Sequence, residues 1–70
     1  MNTTRIRQAL DIARGIIADH VEEIEENSCL HDSKTRKPRI DTMDDMAKPD
    51  YRRCLRAVKL IDDAITEIEA

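Results

Sequence analysis

Apolar residues recur every three or four positions through two long stretches of this chain, and a polar stretch separates them. In the first stretch this spacing places the apolar side chains on one face of a helix, which we expect from about residue 4 to about residue 27. Oxygen-bearing side chains that can cap its start are Asn2, Thr3 and Thr4. The apolar face consists of Ile6, Leu10, Ala13, Ile17, His20 and Ile24, and Ala9, Ile16 and Val21 widen it.

The second stretch repeats the pattern and predicts a helix from about residue 49 to about residue 69. Pro49 suits its first turn, because the first residues of a helix need no backbone N–H partner. Its apolar face consists of Tyr51, Cys54, Val58, Ile61, Ile65 and Ile68. Ile12 and Leu60 lie off the two faces, so they are candidates for a second contact surface such as a dimer interface.

The polar stretch between the helices covers about residues 28–48 and has no helical or strand period. Connections of this length without structure are uncommon in compact domains, so we expect this loop to be partly ordered. Asp41 or Thr42 can cap a short helical turn that contains Met43 and Met46. We therefore predict a loop with a short helix in its second half.

Charge is distributed in the same way along both helices, since each begins basic and ends acidic. Five carboxylates of the first helix crowd into residues 19–26, and early in the second helix lie Arg52, Arg53 and Arg56. Antiparallel packing brings these two groups together, whereas parallel packing places like charges side by side. Exposed ion pairs contribute about 0–1 kcal/mol each, so they select the orientation while apolar burial provides the stability.

The size of the chain limits the stability of a single copy. The sequence has 70 residues, and chains of this size rarely gain more than roughly 3–5 kcal/mol from one core. We therefore predict one all-α domain spanning residues 1–70, an antiparallel two-helix hairpin with a long, partly ordered connecting loop, completed as a four-helix bundle by homodimerisation. A dimer that exchanges helices, or a different protein that completes the core, fits the same pattern.

The residues that commonly bind zinc are few, and they are His20, Cys29, His31 and Cys54. A Cys-x-His pair is not a usual ligand spacing, and His20 and Cys54 lie on the apolar faces. We favour ordinary packing over a zinc site or a Cys29–Cys54 disulfide, and we expect no metal and no cofactor. There is no catalytic motif, and a hairpin has little room for a pocket of a few hundred cubic ångströms unless an oligomer builds one. We therefore expect no enzyme activity.

His20 has two alternative roles, because it lies on the apolar face of the first helix. It is either a neutral, hydrogen-bonded core residue or a pH-sensitive core residue that loosens the bundle when charged. Asp19 and Glu23 would favour the charged form if they approach it. We favour the neutral role, and pH-dependent stability would indicate the other.

The loop carries the candidates for partner binding. Charged residues make up 39% of the chain with a net charge of -3, so the basic cluster in this loop is a local feature. Two flexible thioethers, of Met43 and Met46, and the amphipathic ring of Tyr51 lie at the junction of the loop with the second helix. They suit either capping of the bundle or adaptable protein contact. The candidate residues are Lys34, Arg36, Lys37, Arg39, Met43, Met46 and Tyr51.

These features predict a small protein-interaction module, namely a regulator, adaptor or inhibitor that binds a macromolecular partner. A nucleic-acid-associated accessory factor that uses the basic loop is the alternative, and a purely structural helical oligomer is a third. No aromatic side chain that could stack on a nucleobase lies among the basic residues of the loop, and the chain as a whole is acidic. We therefore favour a protein partner.

No apolar run approaches the roughly 20 residues that span a bilayer. The chain also does not open with the charged, apolar and small-residue pattern of a secretory leader. We therefore expect no membrane partner and a cytoplasmic location. Reduced thiols, rather than disulfides, are the usual state of cysteine in that compartment.

Overall fold

The computed structural model describes residues 3–70, which form two long helices joined by a short β-hairpin. The elements in chain order are α1 (Thr3–Ser28), β1 (Leu30–His31), β2 (Pro38–Arg39), a 3-10 helix (Ile40–Thr42) and α2 (Lys48–Glu69). The mostly helical chain and the helical hairpin were both predicted, and both are confirmed. No helix in the described part of the chain is long and apolar enough to cross a membrane.

Polar pairs cross between the helices at successive levels, and they include Arg7 with Glu69, Arg14 with Asp62 and Glu25 with Tyr51. From the first pair to the second, the chain moves seven residues forward along α1 and seven back along α2. From the second to the third, it moves eleven residues forward and eleven back. The helices therefore run antiparallel in one continuous register.

The ion pairs that join the two helices differ in part from those that the sequence predicted. Arg14 donates from Nε to Asp62 Oδ1 at 2.6 Å and from Nη2 to Asp62 Oδ2 at 3.3 Å. These bonds from the guanidinium lower the pKa of Asp62. Within residues 3–70, however, no ion pair joins the acidic residues 19–26 to the arginines early in α2. The predicted pairing of those two groups is therefore corrected, although the antiparallel orientation stands.

The core lies at the end of the hairpin where the loop joins the helices. Its buried side chains are Val21, Ile24, Met43 and Tyr51, and the half-buried Cys29, Ala47 and Cys54 pack against them. Away from this end, the apolar faces of α1 and α2 are only half-buried. The described part of the chain measures 47 × 25 × 17 Å, so it is a single layer of helices.

His20 does not lie in this core. Its side chain is 51% exposed, with Nδ1 at 3.9 Å from Glu23 Oε2. Val21 is buried instead, because steps of four from Ile17 and three to Ile24 also continue the face that meets α2. The predicted core position of His20 is therefore wrong for the single chain.

The β-hairpin was not predicted. Leu30 pairs with Arg39 and His31 with Pro38 in an antiparallel register. Asp32 organises the turn, since its Oδ1 accepts bonds from the backbone N–H groups of residues 34 and 35 at 2.8 and 3.0 Å. Side chains of this type stabilise turns in this way.

The short helix predicted around Met43 is also shifted. The turn is a 3-10 helix over Ile40–Thr42, and Met43 follows it in an extended conformation that turns its side chain into the core. Thr42 does not cap a helix. Its hydroxyl donates to the Arg39 carbonyl at 2.6 Å and accepts from the Leu30 N–H at 2.9 Å, which holds the hairpin onto the 3-10 helix.

Candidate interaction surfaces

The residues predicted to contact a partner divide into buried and exposed groups. Met43 is 4% exposed and Tyr51 is 8% exposed, so both are core residues. Of the two roles that the sequence allowed for them, this burial favours capping of the bundle, and it leaves them a part in partner contact only where they line a groove. Met46 is 88% exposed and keeps its candidate role.

Tyr51 is held in place by a polar contact as well as by packing. Its hydroxyl donates to Glu25 Oε2 at 2.7 Å. Burial of the phenol, with the hydrogen bond and the charge of Glu25, raises the pKa of Tyr51 from its ordinary value of 10.0 to about 12. The bond therefore links α1 to the start of α2 over the whole neutral pH range.

The raised pKa of Tyr51 predicts a loss of stability at high pH. Because the folded-state pKa lies above the unfolded value, the stabilisation is complete below about pH 10 and is lost as the pH rises towards about 12. The chain has one Tyr and no Trp, so tyrosinate absorbance reports this group alone. We expect its midpoint near pH 12 in the folded protein and near pH 10 in urea. A midpoint near pH 10 in both states would contradict the burial of the phenol. Tyr51→Phe is the control for the change in stability at high pH that comes from the other groups that titrate in this range.

The basic residues of the loop lie mainly on the turn of the β-hairpin. Arg39 is engaged, because its Nη2 lies 3.2 Å from Asp41 Oδ2. Lys34, Arg36 and Lys37 are exposed and form no ion pair within the described residues. We call these three residues the basic turn. Backbone N–H groups from residues 35 and 34 lower the pKa of the Asp32 carboxyl at the base of this turn.

One edge of the helical hairpin is apolar. Ile16 lies two residues after Arg14, and Leu60 lies two residues before Asp62, a separation of about 200° around each helix. Both side chains therefore point away from the edge that the Arg14–Asp62 ion pair crosses. The antiparallel register places them at the same level, and they are 65% and 54% exposed.

Ile12 extends this surface along α1. It precedes Ile16 by one helical turn, is 65% exposed, and lies level with Ala64 of α2. We call the surface formed by Ile12, Ile16, Leu60 and Ala64 the apolar flank. Ile12 and Leu60 were predicted to mark a second contact face, and the structure leaves both exposed on this flank.

A groove opens on the other side of α2, next to the 3-10 helix. Its volume is about 320 Å³, and we call it the loop-end groove. The residues that form it include Ile40, Met43, Lys48, Tyr51, Arg52 and Leu55. Sequence reasoning expected no pocket of this size in one chain, because Ile40 and Leu55 are brought together only by the fold of the loop.

The cysteines are free thiols that pack at the edge of the core. Burial, followed by the charges of Glu25 and Asp41, raises the pKa of the Cys29 thiol. Cys29 is therefore less readily ionised than an ordinary thiol, and it serves mainly as a packing residue. Among residues 3–70, no group of three or more His, Cys, Asp or Glu side chains is placed to hold a metal ion.

The exposed features thus form three separate surfaces, namely the apolar flank, the loop-end groove and the basic turn. The first two lie on different sides of α2, and the third lies at the tip of the β-hairpin. Comparisons with protein-family models, with curated proteins and with solved structures found no match.

Proposed function

We propose that this protein is a non-enzymatic protein-interaction module that pairs with a second copy through the apolar flank to form a four-helix bundle. The observation that carries the proposal is the exposure of Ile16 and Leu60 side by side on one edge of the hairpin. Fully burying a large aliphatic side chain is worth about 1.5–3 kcal/mol. Covering this edge would therefore add substantially to a small core.

The thin shape of the single chain supports the same proposal. With a smallest dimension of 17 Å, it is one layer of helices, and a helical layer is normally packed against another layer. None of the described side chains reaches full burial. A second helical hairpin packed against the apolar flank would bury more of the half-buried apolar faces of both helices and produce an ordinary bundle core.

Charges along the apolar flank fit a symmetric pair. Arg53 precedes Leu60 by seven residues and Glu67 follows it by seven, so all three lie on nearly the same side of α2. If a two-fold axis passed perpendicular to α2 at Leu60, the α2 helices of the two subunits would pack antiparallel. Arg53 would then face Glu67 of the partner subunit, as a self-complementary interface requires.

Absolute mass in solution tests the dimer. Multi-angle light scattering at micromolar to millimolar concentrations is expected to give the mass of two 8.1 kDa chains. A single-chain mass across that range would overturn the proposal. Masses that keep rising with concentration would indicate the structural oligomer instead.

The end of the hairpin that carries the loop would stay outside the interface. Leu55, in the loop-end groove, precedes Leu60 by five residues, which places the two about 140° apart around α2. A dimer built on the apolar flank therefore leaves the groove and the basic turn open. We propose that this end contacts a macromolecular partner, in the manner of a regulator, adaptor or inhibitor.

A nucleic-acid-associated accessory factor is the second candidate, and the basic turn is the observation that favours it. Lys34, Arg36 and Lys37 are exposed in the turn of the β-hairpin. Binding to a short DNA duplex that falls steeply with salt, and is lost when all three are replaced by alanine, would support this role. No binding at low salt would exclude it.

A further inference from the structure

We infer that the loop-end groove is a docking site for an acidic, amphipathic segment of another protein. This inference rests on the proposed function as an interaction module and names the chemistry of the partner. It concerns a surface on the side of α2 away from the apolar flank, so the groove and the dimer interface can be occupied together.

The size and lining of the groove fit an apolar side chain as the anchor. The floor is formed by buried Met43 and Tyr51, and the walls by Ile40 and Leu55, which remain 41% and 45% exposed. A volume of about 320 Å³ lies at the lower end of the range for ligand sites, about 300–1,000 Å³. It therefore suits the anchoring residue of a peptide better than a large cofactor.

The charge at the rim of the groove determines which sign of charge the partner should carry. Arg52 forms no ion pair within the described residues, and Lys48 pairs only with the outlying Asp45, at 2.9 Å. Asp41 also borders the groove, but Arg39 offsets its charge at 3.2 Å. The uncompensated charge at the rim is therefore positive, so carboxylates flanking the apolar anchor would complement it.

The groove is formed before any partner arrives. The Tyr51 hydroxyl is hydrogen-bonded to Glu25. The 3-10 helix that carries Ile40 is hydrogen-bonded to the β-hairpin through the Thr42 hydroxyl. A site whose walls are already ordered loses little conformational entropy on binding. An amphipathic helix, which presents apolar residues at spacings of three and four, is the occupant that such a groove accommodates.

The test uses two synthetic helical peptides and the full chain labelled with nitrogen-15. Both peptides carry leucine at helical spacing, and the other positions are glutamate in the first and lysine in the second. Titration of the glutamate peptide is expected to shift the amide signals of Ile40, Tyr51 and Leu55. It should also bind at least about tenfold more tightly than the lysine peptide, because the rim is cationic.

Two variants separate apolar from charged recognition. Leu55→Asp should abolish binding of the glutamate peptide, and Arg52→Glu should reverse the preference so that the lysine peptide binds more tightly. Arg52 is exposed, so its replacement leaves the core intact, and circular dichroism checks that both variants remain helical. Equal binding of the two peptides, or unchanged preference in Arg52→Glu, would overturn the inference.

A third variant distinguishes failure of this inference from failure of the proposed dimer. Leu60→Asp alters the apolar flank and leaves the groove complete within one chain, so it should retain the affinity for the glutamate peptide. Amide shifts confined to Ile12, Ile16 and Leu60 would place the peptide on the apolar flank and would contradict docking in the groove. If Leu55→Asp lowered the mass in solution and Leu60→Asp did not, the occupant of the groove would be a second copy of this chain, which would also overturn the inference.

Discussion

Replacement of Met43 by alanine is expected to lower the free energy of unfolding by about 2–5 kcal/mol, which is the usual cost of truncating a buried aliphatic or thioether side chain. Met43 is the most buried residue of the core and packs with Val21, Ile24 and Tyr51. It is the only one of these four that comes from the loop, so its truncation should also release the loop from the helices. Because so small a domain rarely has more than roughly 3–5 kcal/mol from one core, this single change should remove much of its stability.

Met46 provides a matched control for Met43. It is the same residue type three positions later, and it is almost fully exposed. Met46→Ala should therefore change the free energy of unfolding by no more than about 0.5 kcal/mol. Urea denaturation followed by circular dichroism, at one fixed protein concentration because association contributes to stability, measures both. Equal effects of the two replacements would show that Met43 is not a core residue.

The contrast between these methionines also shows what the sequence could predict. The helices were predictable, because apolar residues on each repeat at spacings of three and four over several turns. The loop was not, since strands of two residues have no measurable period. Met43 and Met46 look alike in sequence, and only the extended backbone after the 3-10 helix turns one inward and leaves the other outside.

The position of His20 illustrates a second limit. From Ile17, both a step of three to His20 and a step of four to Val21 lead on to Ile24 along one helical face. Periodicity cannot choose between these tracks. The choice depends on which side α2 occupies, and α2 lies on the side of Val21.

The candidate sites were predictable to different degrees. The basic cluster and the two outlying residues Ile12 and Leu60 were visible because local sequence alone marks them as unusual. The loop-end groove was not, because Ile40 and Leu55 are distant in sequence and meet only when the loop folds back on α2. The partner of Glu25 was also missed, since a phenol rather than an arginine lies opposite it in the register.

Replacement of Leu60 by aspartate is expected to convert the proposed dimer into single chains. At a two-fold axis the substitution occurs twice, and each copy would bury an unpaired carboxylate. Burying an unpaired charge in an apolar interface costs several kcal/mol, so the dissociation constant should rise by roughly a hundredfold or more. Light scattering at a concentration where the unchanged chain is dimeric provides the measurement.

Leu55 is the matched control for Leu60. Both are exposed leucines of α2, but they lie on different sides of the helix, and only Leu60 belongs to the apolar flank. Leu55→Asp should therefore leave the mass of the dimer unchanged. If both variants dissociated alike, the effect would come from added charge on the helix rather than from a particular interface.

The arginine and glutamate on either side of Leu60 test the axis itself. Arg53→Glu should weaken the dimer by facing like charges across the interface, and the added Glu67→Arg should restore it, because the same charges then meet in reverse. Within one chain these residues are fourteen positions apart on the same helix, well beyond the reach of an intrahelical pair. Rescue by the double variant can therefore arise only between subunits, and its absence would place the two-fold axis elsewhere on the flank.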